Sequence, residues 1–269
     1  MRPESPARAG VELDVRLWGA RAGSRAMKRL PPCFVWLCAA VVAVSAACGT
    51  DDASNARPAA ELSGAPARAG DPAPPAVDPR PRIVALGDSL TAGLGLDAAA
   101  AYPALLQQKL DAAGLPFRVV NAGISGDTSA GGLSRLDLAL EGDVRILLVA
   151  LGGNDALRAL PVAELRRNLA AIIEGAQARG VTVLLAGMEA PPNFGRDYIV
   201  SFHQVYADLA KQYDVVYLPF LLEGVAGVER LNQRDGIHPT AEGARLVADH
   251  VWTVLEPVAR AEGKGSSRR

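Results

Sequence analysis

Aromatic residues supply only 5% of this 269-residue chain, and cysteine and histidine occur three times each. The cysteines, Cys33, Cys38 and Cys48, all fall in the first fifth of the sequence. Everything downstream can therefore form neither a disulfide nor a thiolate metal site, and the body must be held by its apolar core. Charge of one sign is lacking too: 28 Lys and Arg against 29 Asp and Glu leave a formal net charge of −1. That balance excludes the basic stripe a nucleic-acid partner needs, and the short basic end from Lys264 to Arg269 reads as a solvated tail. With so few histidines, the sequence holds no Cys or His cluster suited to a metal.

No long hydrophobic run is present either. The apolar stretch from Cys33 to Ala47, after the basic start Met27-Lys28-Arg29, falls short of the roughly 20 residues of a membrane span and fits a signal-peptide core. It ends in Ser45-Ala46-Ala47-Cys48, small residues before a cysteine. This resembles the lipobox of bacterial lipoproteins, which implies that Cys48 is lipidated and becomes the mature amino terminus. Ser45 stands where that family usually has leucine, and ordinary signal cleavage or an uncleaved anchor are the alternatives. Residues 1 to 26 are Arg-rich without apolar periodicity, so translation is expected to begin at Met27, with the signal peptide at 27 to 47. Residues 48 to 81 are rich in Ala, Pro and Gly and cannot bury enough apolar surface to order themselves. They read as a tether of about 30 Å.

From Arg82 onward, short apolar runs alternate with helical patterns. "RIVAL" (82 to 86), "FRVVN" (117 to 121), "VRILLVAL" (144 to 151), "VTVLLAGM" (181 to 188) and "VVYLP" (215 to 219) read as buried parallel strands. Between the third and fourth, Leu165, Leu169, Ile172 and Ile173 fall at helical spacing, with Gly180 as the stop. A last helix starts after Thr240 as N-cap and carries Leu246, Val247, Val251, Val254, Leu255 and Val258 on one side. The pattern predicts one α/β domain over 82 to 260, a parallel sheet of roughly five strands sandwiched by helices in three layers, then a tail from 261 to 269.

In such sheets, ligands sit beyond the carboxyl ends of the strands. "GDSLTAG" (87 to 93), "NAGISGDTS" (121 to 129) and "GGND" (152 to 155) follow the first three strands, and "DGIHP" (235 to 239) precedes the last helix. Ser89, at a strand-to-helix turn, is a candidate nucleophile; the alternative is a helix cap. His238 is the candidate base, and Asp235, three residues earlier, could fix its tautomer across the bend at Gly236; alone, the loop would be an Asx turn. Asn154 could donate its amide, and Ser89 and Gly126 their backbone N–H groups, to a developing oxyanion; Asn154 could also be a turn residue. His203 and His250 read as structural, and "PPNFG" (191 to 195) as the rim of a groove.

These blocks resemble the SGNH hydrolase family, also called GDSL esterases: Gly-Asp-Ser at 87 to 89, Gly126, Gly-x-Asn-Asp at 152 to 155 and Asp-x-x-His at 235 to 238. The likeness runs over 82 to about 258. "NAGISGDTS", "LGGNDALR" and "LPF" followed by "DGIHP" are most similar to the periplasmic multifunctional thioesterase, lysophospholipase and arylesterase branch. Thr91 breaks the G-x-S-x-G elbow of ordinary α/β-hydrolases. The resemblance implies a flavodoxin-like α/β/α fold, a Ser89–His238–Asp235 triad, an oxyanion hole of Ser89, Gly126 and Asn154, and an apolar acyl groove needing no metal or cofactor. It implies an exported serine esterase, periplasmic or membrane-anchored or else secreted. The expected protein is a monomer acting on small acyl esters or thioesters. A carbohydrate O-deacetylase of the same family and a non-catalytic lipid-binding lipoprotein are the rival readings.

Overall fold

The computed structural model describes residues 78–266. The expected leader at 1 to 47, Cys48 and nearly all of the tether lie outside the described residues. In chain order the elements are β1 Arg82–Gly87, α1 Ser89–Ala92, α2 Tyr102–Ala112, β2 Arg118–Gly123, α3 Ser129–Ser134, α4 Leu136–Ala139, β3 Val144–Ala150 and α5 Gly153–Leu157. They continue with α6 Val162–Gln177, β4 Thr182–Ala186, α7 Arg196–Tyr213, β5 Val216–Leu218 and α8 Ala241–Ser266. All five strands expected from the apolar runs are present.

The sheet is wholly parallel in the order β2-β1-β3-β4-β5. Central β3 is covered on both faces, and Ile146 through Ala150 are fully buried. Edge strand β2 is only half covered, which is why its sequence mixes Arg118 and Asn121 with its valines. Parallel crossovers are right-handed as a rule, so the reversal of strand order after β2 puts α2 on one face and α6 and α7 on the other. Helix α8 packs on α2 and α3 on α6, completing three layers. The reversal also parts the loops that leave β1 and β3, opening a crevice at their carboxyl ends.

Helix α6 buries Leu165, Leu169, Ile172 and Ile173 as its spacing requires, and beyond it Gly180 turns left-handed while Val181 N–H returns to the Ala176 carbonyl at 3.1 Å. Helix α8 starts as expected, with Thr240 Oγ1 accepting from Gly243 N–H at 3.3 Å. Its core face differs from expectation at one position. Val247, Ala248, Val251, Leu255 and Ala259 are buried, whereas Leu246 is 40% exposed, since it lies about 100° of helix rotation before Val247. The helix also runs through the boundary expected at 260. Thr182 Oγ1 donates to Glu262 Oε1 at 2.6 Å, tying the last turns to the start of β4.

Candidate active site

The first loop turns tightly out of β1. A Cβ on Gly87 would stand 2.0 Å from Thr91 Oγ1 and 2.9 Å from the Ala150 carbonyl, so only glycine fits. Asp88 then caps α1, its Oδ1 accepting from Leu90 N–H at 3.0 Å. The capping role considered for Ser89 is thus taken by its neighbour, and the serine hydroxyl is left to face the loop before α8.

That loop places His238 Nε2 2.8 Å from Ser89 Oγ and His238 Nδ1 2.7 Å from Asp235 Oδ2. An ionised carboxylate can only accept, so Nδ1 carries the proton and Nε2 is the acceptor for the serine hydroxyl. The Asx turn and the orienting role coexist in Asp235. Its Oδ1 accepts from Ile237 N–H at 2.9 Å and His238 N–H at 3.0 Å, while Oδ2 holds the imidazole. Those backbone bonds to Ile237, with the imidazole next, bring the Asp235 carboxyl down to about 2. Gly236 supplies the left-handed bend at φ 74°.

Gln233, which sequence reasoning passed over, staples this loop to the nucleophile's loop. Its Nε2 donates to the Leu94 carbonyl at 2.7 Å and to the Pro239 carbonyl at 3.0 Å, while its backbone N–H bonds the His238 carbonyl at 2.7 Å.

From the third loop, Asn154 Nδ2 donates to Asp88 Oδ2 at 3.1 Å and to the Asp127 carbonyl at 2.9 Å. Gly126 adopts φ 86°, and its carbonyl accepts from the Arg158 guanidinium at 2.8 Å. The backbone N–H groups of Ser89 and Gly126 have no hydrogen-bond partner among the described residues. A second unforeseen brace is Arg135, paired with Asp127 at 2.7 Å and donating to the Ala122 and Gly87 carbonyls at 2.7 and 2.8 Å. Asp155 is buried and accepts from the backbone N–H of Ser129 at 2.8 Å and from its hydroxyl at 2.5 Å, joining the second and third loops. Asp88 is buried as well. At 2% exposure, burial pushes its carboxyl up to about 6 against the bonds from Leu90 and Asn154 and the nearby His238.

A cavity of about 330 Å³ is lined by Leu90, the residue after Ser89, and Ile237, the residue before His238, together with Leu157, Met188, Phe220 and Leu222, with Pro191 and Pro192 at its side. It lies at the small end of the roughly 300 to 1,000 Å³ range of ligand sites. Of the rim expected at 191 to 195, Pro191 and Pro192 border the cavity. Among the described residues Glu189 is the one ionisable side chain along it, and its Oε1 is 2.7 Å from His203 Nδ1. His250 lies elsewhere, donating from Nε2 to the Phe220 carbonyl at 3.0 Å.

The chain as a whole has relatives. The model of the GDSL-like lipase/acylhydrolase family matches residues 85–246. Esterase TesA of Pseudomonas aeruginosa is 46% identical over 177 residues, which span 65% of this chain and 88% of that protein. The thioesterase 1/protease 1/lysophospholipase L1 of Escherichia coli is 41% identical over 177 residues, or 65% and 84% of the two chains. A crystal structure of TesA, 46% identical, superposes with a TM-score of 0.64 and covers 66% of this chain and 99% of its own. A match across more than half of the sequence, on a sheet edge that gathers all four signature blocks, establishes that the chain belongs to the GDSL-like lipase/acylhydrolase family, the SGNH hydrolases.

Proposed function

We propose that the protein hydrolyses carboxylic esters and thioesters through an acyl-enzyme, with Ser89 as nucleophile, His238 as general base and acid, and Asp235 as the orienter of the imidazole. The class, a carboxylic ester hydrolase, goes with membership of the family. The roles rest on one observation, the unbroken line from Asp235 through His238 to Ser89 at 2.7 and 2.8 Å.

Ser89 Oγ attacks the acyl carbonyl as His238 Nε2 takes its proton, and Asp235 stabilises the imidazolium that results. The negative charge on the carbonyl oxygen is met by the N–H groups of Ser89 and Gly126 and by the Asn154 amide. His238 returns the proton to the departing alkoxide or thiolate, leaving the acyl group on Ser89. Water, deprotonated by the same imidazole, then releases the acid and regenerates the serine. The apolar wall of the cavity suits an acyl chain, and this favours acyl esters and thioesters over an acetylated sugar as substrate.

The amino-terminal half of the proposal is export and anchoring: cleavage before Cys48, lipidation of that cysteine, and a monomeric catalytic domain carried on the 48 to 81 tether. It is supported by the basic start, apolar run and small residues that precede Cys48. A Cys48→Ser variant is expected to leave the membrane fraction, and one that stays there refutes lipidation at this site.

The deciding experiment on catalysis combines hydrolysis of p-nitrophenyl esters and acyl thioesters of two to sixteen carbons with fluorophosphonate labelling of the full-length protein. Labelling confined to Ser89, lost in Ser89→Ala together with turnover, is the expected result. Turnover that survives Ser89→Ala excludes the mechanism.

A further inference from the structure

Asn154 is assigned to the oxyanion, yet both hydrogens of its Nδ2 are already engaged, by Asp88 Oδ2 at 3.1 Å and by the Asp127 carbonyl at 2.9 Å. These acceptors are not arbitrary. Asp88 precedes Ser89 and Asp127 follows Gly126, so the amide bridges the two loops whose backbone N–H groups make up the rest of the anion pocket. Of its two bonds the one to the carboxylate is charge-assisted, and such bonds are roughly twice as strong as neutral ones.

The carboxylate itself is costly to keep. Asp88 is nearly inaccessible, and no Lys or Arg forms an ion pair with it among the described residues. The charged or titratable groups that face it are His238 from the loop before α8, Tyr102 from α2 and Tyr206 from α7. Capping α1 does not require the charge, since asparagine caps a helix about as well as aspartate.

We propose, on the esterase reading above, that Asp88 is a positioning residue for the oxyanion hole: its ionised Oδ2 aims the Asn154 amide and thereby fixes the spacing of the Ser89 and Gly126 donors. Substrate then draws the aimed hydrogen toward its developing oxyanion without a search by the side chain. Each oxygen of Asp88 already faces an N–H donor, Leu90 on one side and Asn154 on the other. A proton placed on either one weakens a bond that the ionised form makes. Burial brings that protonation to about pH 6.

The test is the pH profile of kcat in full-length wild type, Asp88→Asn, Asn154→Ala and the double variant. Wild type is expected to lose activity on acidification with a slope approaching two, Asp88 taking up a proton at about pH 6 in addition to the one that disables the base. Asp88→Asn should show a slope of one and a kcat about 10- to 100-fold lower at pH 8, with KM changed less than about twofold. Because Asp88 acts through Asn154, adding Asp88→Asn to Asn154→Ala should change kcat less than about twofold, and Asn154→Ala alone should already have the single-proton limb. A two-proton limb retained in Asp88→Asn, or effects that multiply in the double variant, overturns the assignment. If Asp88→Asn does not fold, the acid limb of Asn154→Ala decides alone, with a slope near two as the refuting result. Fluorophosphonate labelling of wild type keeps the two readings apart. An unlabelled, inactive wild type removes the esterase mechanism, whereas a labelled, active one with an indifferent Asp88 removes only this role.

Discussion

Asp88→Asn should make stability less dependent on pH, and by an amount the structure specifies. The Asp88 carboxyl titrates near 6 in the folded protein against an ordinary value of 3.8, and it is 2% exposed. Between those two values the folded state binds more protons than the unfolded one, so wild-type stability falls as pH rises from about 4 through 6 and is flat above. A shift of about two pKa units, at 1.36 kcal/mol each, makes the loss about 3 kcal/mol. Asparagine carries no such term. It keeps an oxygen for Leu90 N–H but turns an NH₂ toward the Asn154 amide, a constant penalty of about 1 to 3 kcal/mol. Whatever the offset between the two proteins at any single pH, the difference in unfolding free energy, Asp88→Asn minus wild type, should rise by about 2 to 3 kcal/mol between pH 4 and pH 8. Urea unfolding of both proteins across that range measures it. A difference that stays flat within about 1 kcal/mol means the carboxylate is not destabilised by burial, and removes the physical basis for calling it costly.

Three further outcomes follow from the site. Ser89→Ala or His238→Ala should lower turnover of a p-nitrophenyl ester by about 10⁴ to 10⁶, and Asn154→Ala by only about 10² to 10³, so an Asn154→Ala defect as deep as Ser89→Ala contradicts the assigned roles. Gly152→Ala should destabilise by about 2 to 4 kcal/mol, because φ is 114° and the new Cβ would lie 2.0 Å from Tyr206 Oη; Tyr206→Phe in the same chain should recover part of the loss in thermal unfolding. Glu189→Leu should raise kcat/KM for long-chain esters over short ones by about tenfold, since it removes a charged group from an apolar wall; an unchanged chain-length profile in a substrate panel places the chain elsewhere.

The parts that could be read from the sequence are those whose signal is local. Each strand announced itself as an apolar run of the right length, and α6 through the spacing of Leu165, Leu169, Ile172 and Ile173. Ser89, Asp235 and His238 stood out because a nucleophile, an orienter and a base lay in glycine-rich loops, and the structure brings those three side chains into one hydrogen-bonded line. Leu246 misled because its hydrophobicity was counted while its angle, one residue off the Val247, Val251 and Leu255 face, was not.

What stayed hidden is the set of contacts that exist only once the loops meet. Gln233 reaches Leu94 across 139 positions and Arg135 reaches Gly87 across 48, and neither side chain carries any mark in its own neighbourhood. Asp88 is the instructive case, because it was in plain view inside the signature and drew no comment. Its neighbours say N-cap, a role that any exposed aspartate could fill. Only the fold reveals that Ala150, Gly153 and Tyr102 close over this turn, leaving the carboxylate buried, with no ion pair to Lys or Arg among the described residues and with the Asn154 amide as the partner of its second oxygen. A group that is expensive to bury, replaceable as a cap and bonded to the oxyanion donor is better explained by what it does for the anion pocket than by what it does for the helix.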